Sequence, residues 1–262
     1  YTEENTLSLH DALPILYYSD RLVELPLGVF AVAAATVILP HLARLHSGAD
    51  PARFATTLDW GLRFVLLIAV PATIALVVLA EPLLTTLFYN GATMGQRDID
   101  MAAFSLRAFS LGLVAFMCIK VLASGYFARQ DTRTPVVIGI IAMVTNMGLN
   151  LVMALPLHHY FRLGHVGLAG ATALAAWVNA GLLLRGLLRA GVYRPGREWL
   201  RFGALLGIAN LVMLLCLLVL RDAWGDWTAL AFWPRAGALA VTCGAGFGAY
   251  VGALLAGGLR LR

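Results

Sequence analysis

A chain of 262 residues that is 60% hydrophobic and only 13% charged has about half the charge of a soluble domain, which keeps about a quarter of its residues ionisable. Its mean hydropathy of +0.81 comes from long apolar blocks and not from strand-like alternation, which excludes a soluble fold and a membrane β-barrel. The net charge of +5 sits between those blocks, where a bilayer surface explains it and a nucleic-acid partner is not needed.

Residues 1–16, YTEENTLSLHDALPIL, are too acidic and too short in apolar run for a signal peptide. The piece SLHDALPI resembles translated adapter sequence, so this leader reads as non-native, and the natural chain is expected to extend upstream. After it, apolar blocks separated by charged interruptions predict seven spans, near 22–45, 59–83, 102–127, 135–157, 164–188, 200–220 and 233–258. Each is close to the ~20 residues a helix needs to cross about 30 Å of hydrocarbon. The joins carry loop signals: SGADP at 47–51, YNGATMGQRD at 89–98, RQDTRTP at 129–135 and YRPGRE at 193–198.

The first span opens on YSDRLVELPLGVF. A helix starting near Ser19 places Arg21 and Glu24 at i,i+3 and Asp20 and Glu24 at i,i+4, all on one side of its first turn. Two readings are open: an interfacial charge cluster with Arg21 snorkelling to water, or a turn lining a solvated cavity where a cation holds an anionic substrate. Pro26, Pro40 and Pro71 lie at or inside spans and should kink them or free backbone groups; Pro71, the most central, is a candidate hinge. Lys120 in FMCIKVLASGYFARQD stands about two turns from the next charge, too deep for an easy snorkel, and calls for a partner or an aqueous cavity. Asn146 and Asn150 share one face of the next span at i,i+4, and Thr172 and Asn179 add a polar stripe to the one after. Such groups bond neighbouring helices or give oxygens to a small cation such as Na⁺. Gly203 and Gly207, and the longer row Gly244, Gly248 and Gly252, are small-residue stripes expected to let helices approach.

Arginine placement orients the chain. Arg44, Arg53, Arg63, Arg129, Arg133, Arg185, Arg189, Arg194, Arg197, Arg201, Arg260 and Arg262 fall at one set of ends, twelve in all; Arg21, Arg97, Arg162, Arg221 and Arg235, five, fall at the other. The first set is expected in the cytoplasm, with the C-terminus. Cys118, Cys216 and Cys243 lie inside apolar blocks with neither ligand nor disulfide spacing and read as packing residues. No HExxH, Asp-rich diphosphate motif, Gly-rich phosphate loop or serine elbow is present, so no catalytic residue is expected.

Three stretches carry a resemblance: YSDRLVELPLGVFAVAAATVILPHLA, KVLASGYFARQDTRTPV and LFYNGATMGQRD. Together, in that family's order and spacing over residues 17–262, they resemble the MurJ/MviN family of lipid II flippases within the MOP exporter superfamily. The resemblance implies an inner-membrane transporter, not an enzyme, with fourteen helices in two lobes around a cationic cavity. This all-α polytopic chain would supply the second lobe (17–190, five helices) and the extra C-terminal pair (191–262), a lipid-tail groove. Arg21 matches a cavity arginine of the family, Glu24 an important acid on the same helix, Asp20 its neighbour in the SDR motif, and Lys120 the lysine of KVLAPGF, with Ser124 replacing the usual proline. Asn146, Asn150 and Thr172 match a sodium site of some members, where an acid stands in place of Asn150. The implied partners are lipid II, membrane lipids and the first lobe, and the implied coupling is Na⁺ or the membrane potential. Another exporter of that superfamily (for O-antigen lipids or drugs), an enzyme on polyprenyl phosphates and a membrane scaffold are the rival readings.

Overall fold

The computed structural model describes residues 17, 19–89, 95–161 and 164–258. The leader 1–16, the centre of LFYNGATMGQRD, Arg162, Arg260 and Arg262 therefore lie outside the described residues.

The first span, α1, is a bent pair, Ser19–Phe30 and Ala35–Ser47, meeting at 40°. A π-helical turn, Leu27–Ala31, falls at the bend, directly after Pro26, which has no N–H to give to the turn before it. There follow α2 (Pro51–Val78), the short α3 (Ala80–Phe88), α4 (Gln96–Phe127), α5 (Arg133–Phe161), α6 (Gly164–Arg189), α7 (Glu198–Ala223) and α8 (Phe232–Ala256). Six of these are long and apolar enough to cross a bilayer, and the bent α1 makes seven among the described residues. The expected count is met, with shifted boundaries. Helix α2 starts eight residues before the apolar block because Asp50 caps it, Oδ1 accepting the Arg53 N–H at 3.1 Å. It ends at Val78, and α3 follows as a separate piece. Pro71 lies within the continuous α2, so the interruption falls at Leu79 and not at the proline. Helix α4 starts on the polar turn QRDID, where Asp98 accepts the Gly95 N–H at 2.9 Å.

The chain divides into two compact units, with divisions after Ser19 at the start of α1, inside α2 and α4, and after Pro195. One unit holds Asp20–Ala69 and Ala108–Pro195. Its core joins Leu42, Leu58, Val65, Leu113, Met117, Leu122, Leu183 and Leu187, all nearly inaccessible. Small residues bring α4 and α6 together: Ala115, Ala176 and Ala180 pack as a cluster, and a Cβ added to Gly112 would stand 2.8 Å from the Ala173 Cα. Close approach of backbones is how helices associate where lipid offers no hydrophobic drive. Tyr126 closes the seam by donating to the Leu183 carbonyl at 2.7 Å, and Trp177 Nε1 donates to the Leu111 carbonyl at 2.9 Å.

The other unit holds Val70–Arg107 and Gly196–Arg262, with the residues up to Ser19. Here α7 and α8 pair through Gly246, where a Cβ would meet Leu217 Cδ2 at 2.5 Å, and through Gly257 against Leu205. The expected stripes take no part in this packing: Gly203, Gly207, Gly244, Gly248 and Gly252 have nothing within 4 Å of an added Cβ. Helical phase explains the difference. The buried face of α8 is Ala238, Thr242, Gly246, Tyr250 and Leu254, and the stripe lies two residues away from it, about 200° around the helix.

Candidate functional site

The first turns of α1 are amphipathic. Ser19 and Val23, at i,i+4, are buried, while Asp20, Arg21 and Glu24 are exposed. Arg21 Nη1 donates to Glu24 Oε2 at 2.7 Å, with the two side chains 57% and 49% exposed. An ion pair this open contributes about 0–1 kcal/mol, so it orients the guanidinium without committing it. The expected i,i+3 pairing is thus formed, on an exposed face.

Lys120 is exposed on α4 and makes no ion pair with Asp20 or Glu24 among the described residues. Ser124, in the place of the family proline, donates to the Lys120 carbonyl at 2.9 Å, and α4 runs unbroken to Phe127. The serine thus supplies a back-bond where a proline would remove one.

Asn146 and Asn150 lie one turn apart on α5, each with a buried side-chain oxygen that accepts no hydrogen bond. Orphaned carbonyl oxygens of this kind cost free energy unless something electropositive meets them. On α6, the Thr172 hydroxyl donates to the Leu168 carbonyl at 2.9 Å, which leaves its lone pairs as acceptors. The α5–α6 hairpin sets Met153 beside Gly170, 3.5 Å from a Cβ there, so the antiparallel pairing brings Thr172 about level with Asn150.

Three polar clusters were not legible from the sequence. Arg235, counted above among the span-end arginines, is 5% exposed. It donates to the Thr85 carbonyl at 2.9 Å and the Leu230 carbonyl at 2.6 Å, and lies over the Tyr89 ring at 5.4 Å. It thereby satisfies the C-terminal end of α3, a role no local pattern announces. Arg107 Nε donates to the Val77 carbonyl at 3.3 Å where α2 stops. In the third, Asp59 accepts the Tyr193 hydroxyl at 2.7 Å and pairs with Arg63 at 2.8 Å, although that Nε–H is not aligned for a hydrogen bond. The i,i+4 spacing of Asp59 and Arg63 was a usable signal for the pair; Tyr193 had none.

Outside the spans, two carboxyls are held below their ordinary range. Asp131 is lowered by the backbone N–H and hydroxyl of Thr134, and Asp226 by the hydroxyl and N–H of Thr228. Both are turn and cap acceptors.

These features define a polytopic helical membrane protein with an exposed cation on a membrane-grade helix, and among the described residues no His, Cys, Asp and Glu converge as a metal centre. The family model for the lipid II flippase MurJ matches residues 10–236, and the chain belongs to that family. It is 47% identical over 247 residues to the probable lipid II flippase MurJ of Vibrio cholerae, covering 94% of this chain and 46% of that protein. It is 53% identical over 189 residues to that of Haemophilus influenzae, covering 70% and 36%. A solved lipid II flippase MurJ in an inward closed conformation superposes with a TM-score of 0.72 at 24% identity, over 92% of this chain and 46% of that one, which shows the shared fold. The chain spans about half the length of the curated relatives it matches, as seven of fourteen helices would.

Proposed function

We propose that this chain is the C-terminal half of a transporter that moves lipid II from the cytoplasmic to the outer leaflet of the bacterial inner membrane by alternating access. The observation that carries the reading is the exposed Arg21–Glu24 pair on the first span of a chain that belongs to the MurJ family. Residues 17–190 form the second lobe, which works with the first lobe around a central cavity. Residues 191–262 hold the lipid tail. The arginine excess at one set of span ends supports a cytoplasmic C-terminus.

In this reading Arg21 contacts the diphosphate, whose oxygens match the planar donor fork of a guanidinium. Glu24 and Asp20 position it and weaken its hold so that the lipid can leave. Lys120, exposed and without an acid, adds a second cation. Each negative charge moving outward across 100 mV gains about 2.3 kcal/mol, so a diphosphate with about two charges gains about 5. A sodium ion would be held by the Asn146 and Asn150 amide oxygens and the Thr172 hydroxyl, the neutral oxygens a hard cation accepts. The test is lipid II export by the full-length protein in proteoliposomes at imposed potentials. Export should accelerate as the inside becomes more negative; export indifferent to voltage would remove the electrical drive, and no export of lipid II, with export of another lipid-linked sugar, would replace the substrate.

A further inference from the structure

At one end of the unit that holds Asp20–Ala69 and Ala108–Pro195, three helices terminate around a cavity of about 730 Å³. Each terminates in the same way. In α1 the Asp50 N–H reaches back to the Leu45 carbonyl at 3.1 Å, in α4 that of Asp131 reaches Tyr126 at 3.1 Å, and in α6 that of Val192 reaches Leu187 at 3.1 Å. The residue before each closure is left-handed: Ala49 at φ 54°, Gln130 at φ 59° and Gly191 at φ 69°. These are Schellman closures, which satisfy the last carbonyls and fix the direction in which the chain leaves.

The fixed exits carry cations. Arg129 and Arg194 both line the cavity, together with the apolar Leu45, Phe54 and Val192. Neither guanidinium has an ion-pair partner within 4.0 Å among the described residues, although Arg129 feels the more distant Asp131. The lining has one acid, Asp50, and it is engaged by Arg53 through the backbone N–H at 3.1 Å and Nε at 3.5 Å. The Arg194 loop is held from below, where Tyr193, 3% exposed, donates to Asp59 at 2.7 Å. The helix C-termini put partial negative charge here, which the two arginines and the N-terminal turn of α2, also in the lining, oppose.

Two arginines without ion pairs beside apolar side chains, where three membrane-grade helices end, match one class of ligand. We infer that this cavity binds the headgroup phosphate of an anionic phospholipid, with Arg129 and Arg194 on the phosphate oxygens and the glycerol and first methylenes on Phe54 and Leu45. The volume suits a headgroup, and a basic pocket between spans is the form such sites take. It is a separate site from Arg21.

The experiment is a thermal-shift titration of the full-length protein in neutral micelles. Short-chain phosphatidylglycerol is the probe, with phosphatidylcholine of the same chain length and inorganic phosphate as comparison ligands. The native protein should bind phosphatidylglycerol at least about tenfold more tightly than phosphatidylcholine, and R129Q/R194Q should lose that preference, the scale of charge-assisted bonds to phosphate. D50N, which can still cap α2 but removes the acid from the wall, should tighten binding; its affinity does not depend on whether the double variant folds. Equal affinity for the two lipids, a preference that survives R129Q/R194Q, or an unchanged or weaker D50N overturns the inference. An arginine-dependent shift of the same size with inorganic phosphate assigns the cavity to a free anion and also overturns it.

Discussion

Replacing Gly112 by alanine probes the α4–α6 seam with a single atom. The new Cβ would lie 2.8 Å from the Ala173 Cα, 2.9 Å from the Phe116 Cε2 and 3.0 Å from the Ala173 Cβ. Two of those atoms belong to a neighbouring helix's backbone and first side-chain carbon, which no rotamer change can move, so the helices must separate or strain. Overpacking of this kind costs about 1–3 kcal/mol, against which alanine gains about 1 kcal/mol in helix propensity. Gly244→Ala gains the same propensity and meets nothing within 4 Å. The difference between the two variants therefore isolates the packing cost. Equilibrium unfolding in mixed micelles titrated with sodium dodecyl sulfate should put Gly112→Ala about 1–3 kcal/mol below Gly244→Ala. Equal stability, or Gly112→Ala the more stable, would refute a backbone-to-backbone seam at that level.

Tyr193→Phe removes a 2.7 Å hydrogen bond to the Asp59 carboxylate and should cost about 1–3 kcal/mol in the same unfolding assay. Asp131→Ala removes the acceptor that caps α5, Thr134 N–H to Oδ1 at 3.0 Å, at a cost of about 1 kcal/mol. Because the folded state lowers that carboxyl's pKa, its contribution is full above the unfolded value near 4 and is lost as pH falls through the lower folded value. The gap between native and variant should therefore close on acidification, and a gap that widens would contradict the capping role. Exchanging Na⁺ for choline should lower the melting midpoint of the native protein and leave that of Asn146→Ala unmoved, as read by scanning fluorimetry.

Much of the fold was legible because membrane insertion imposes one rule, a long apolar block per span, and seven blocks give seven spans. The charged first turn was legible for a related reason: i,i+3 spacing alone brings Arg21 to Glu24. What could not be read depended on contacts between distant segments. The stripe of Gly244, Gly248 and Gly252 looked like a packing face, but the phase of α8 is set by Leu217 seating on Gly246, and no residue near the stripe specifies that. Arg235 looked like a boundary arginine because sequence shows its neighbours on the chain and not the Thr85 and Leu230 carbonyls that it meets. The interruption at Leu79 had no local signal, while Pro71, the candidate hinge, lies within the continuous α2. A proline's cost is local and visible in sequence, whereas the end of α2 is met by Arg107, thirty residues on.

The proposed function puts Arg21 on the path of an anionic lipid in a lipid II flippase. The most direct measurement places the full-length parent in cells depleted of their own lipid II flippase and compares the native residue with Arg21→Ala at matched membrane levels. Growth restored by the native protein and lost with Arg21→Ala is the predicted result. Growth restored equally by both would return Arg21 to an interfacial role, and growth restored by neither would contradict the lipid II reading itself.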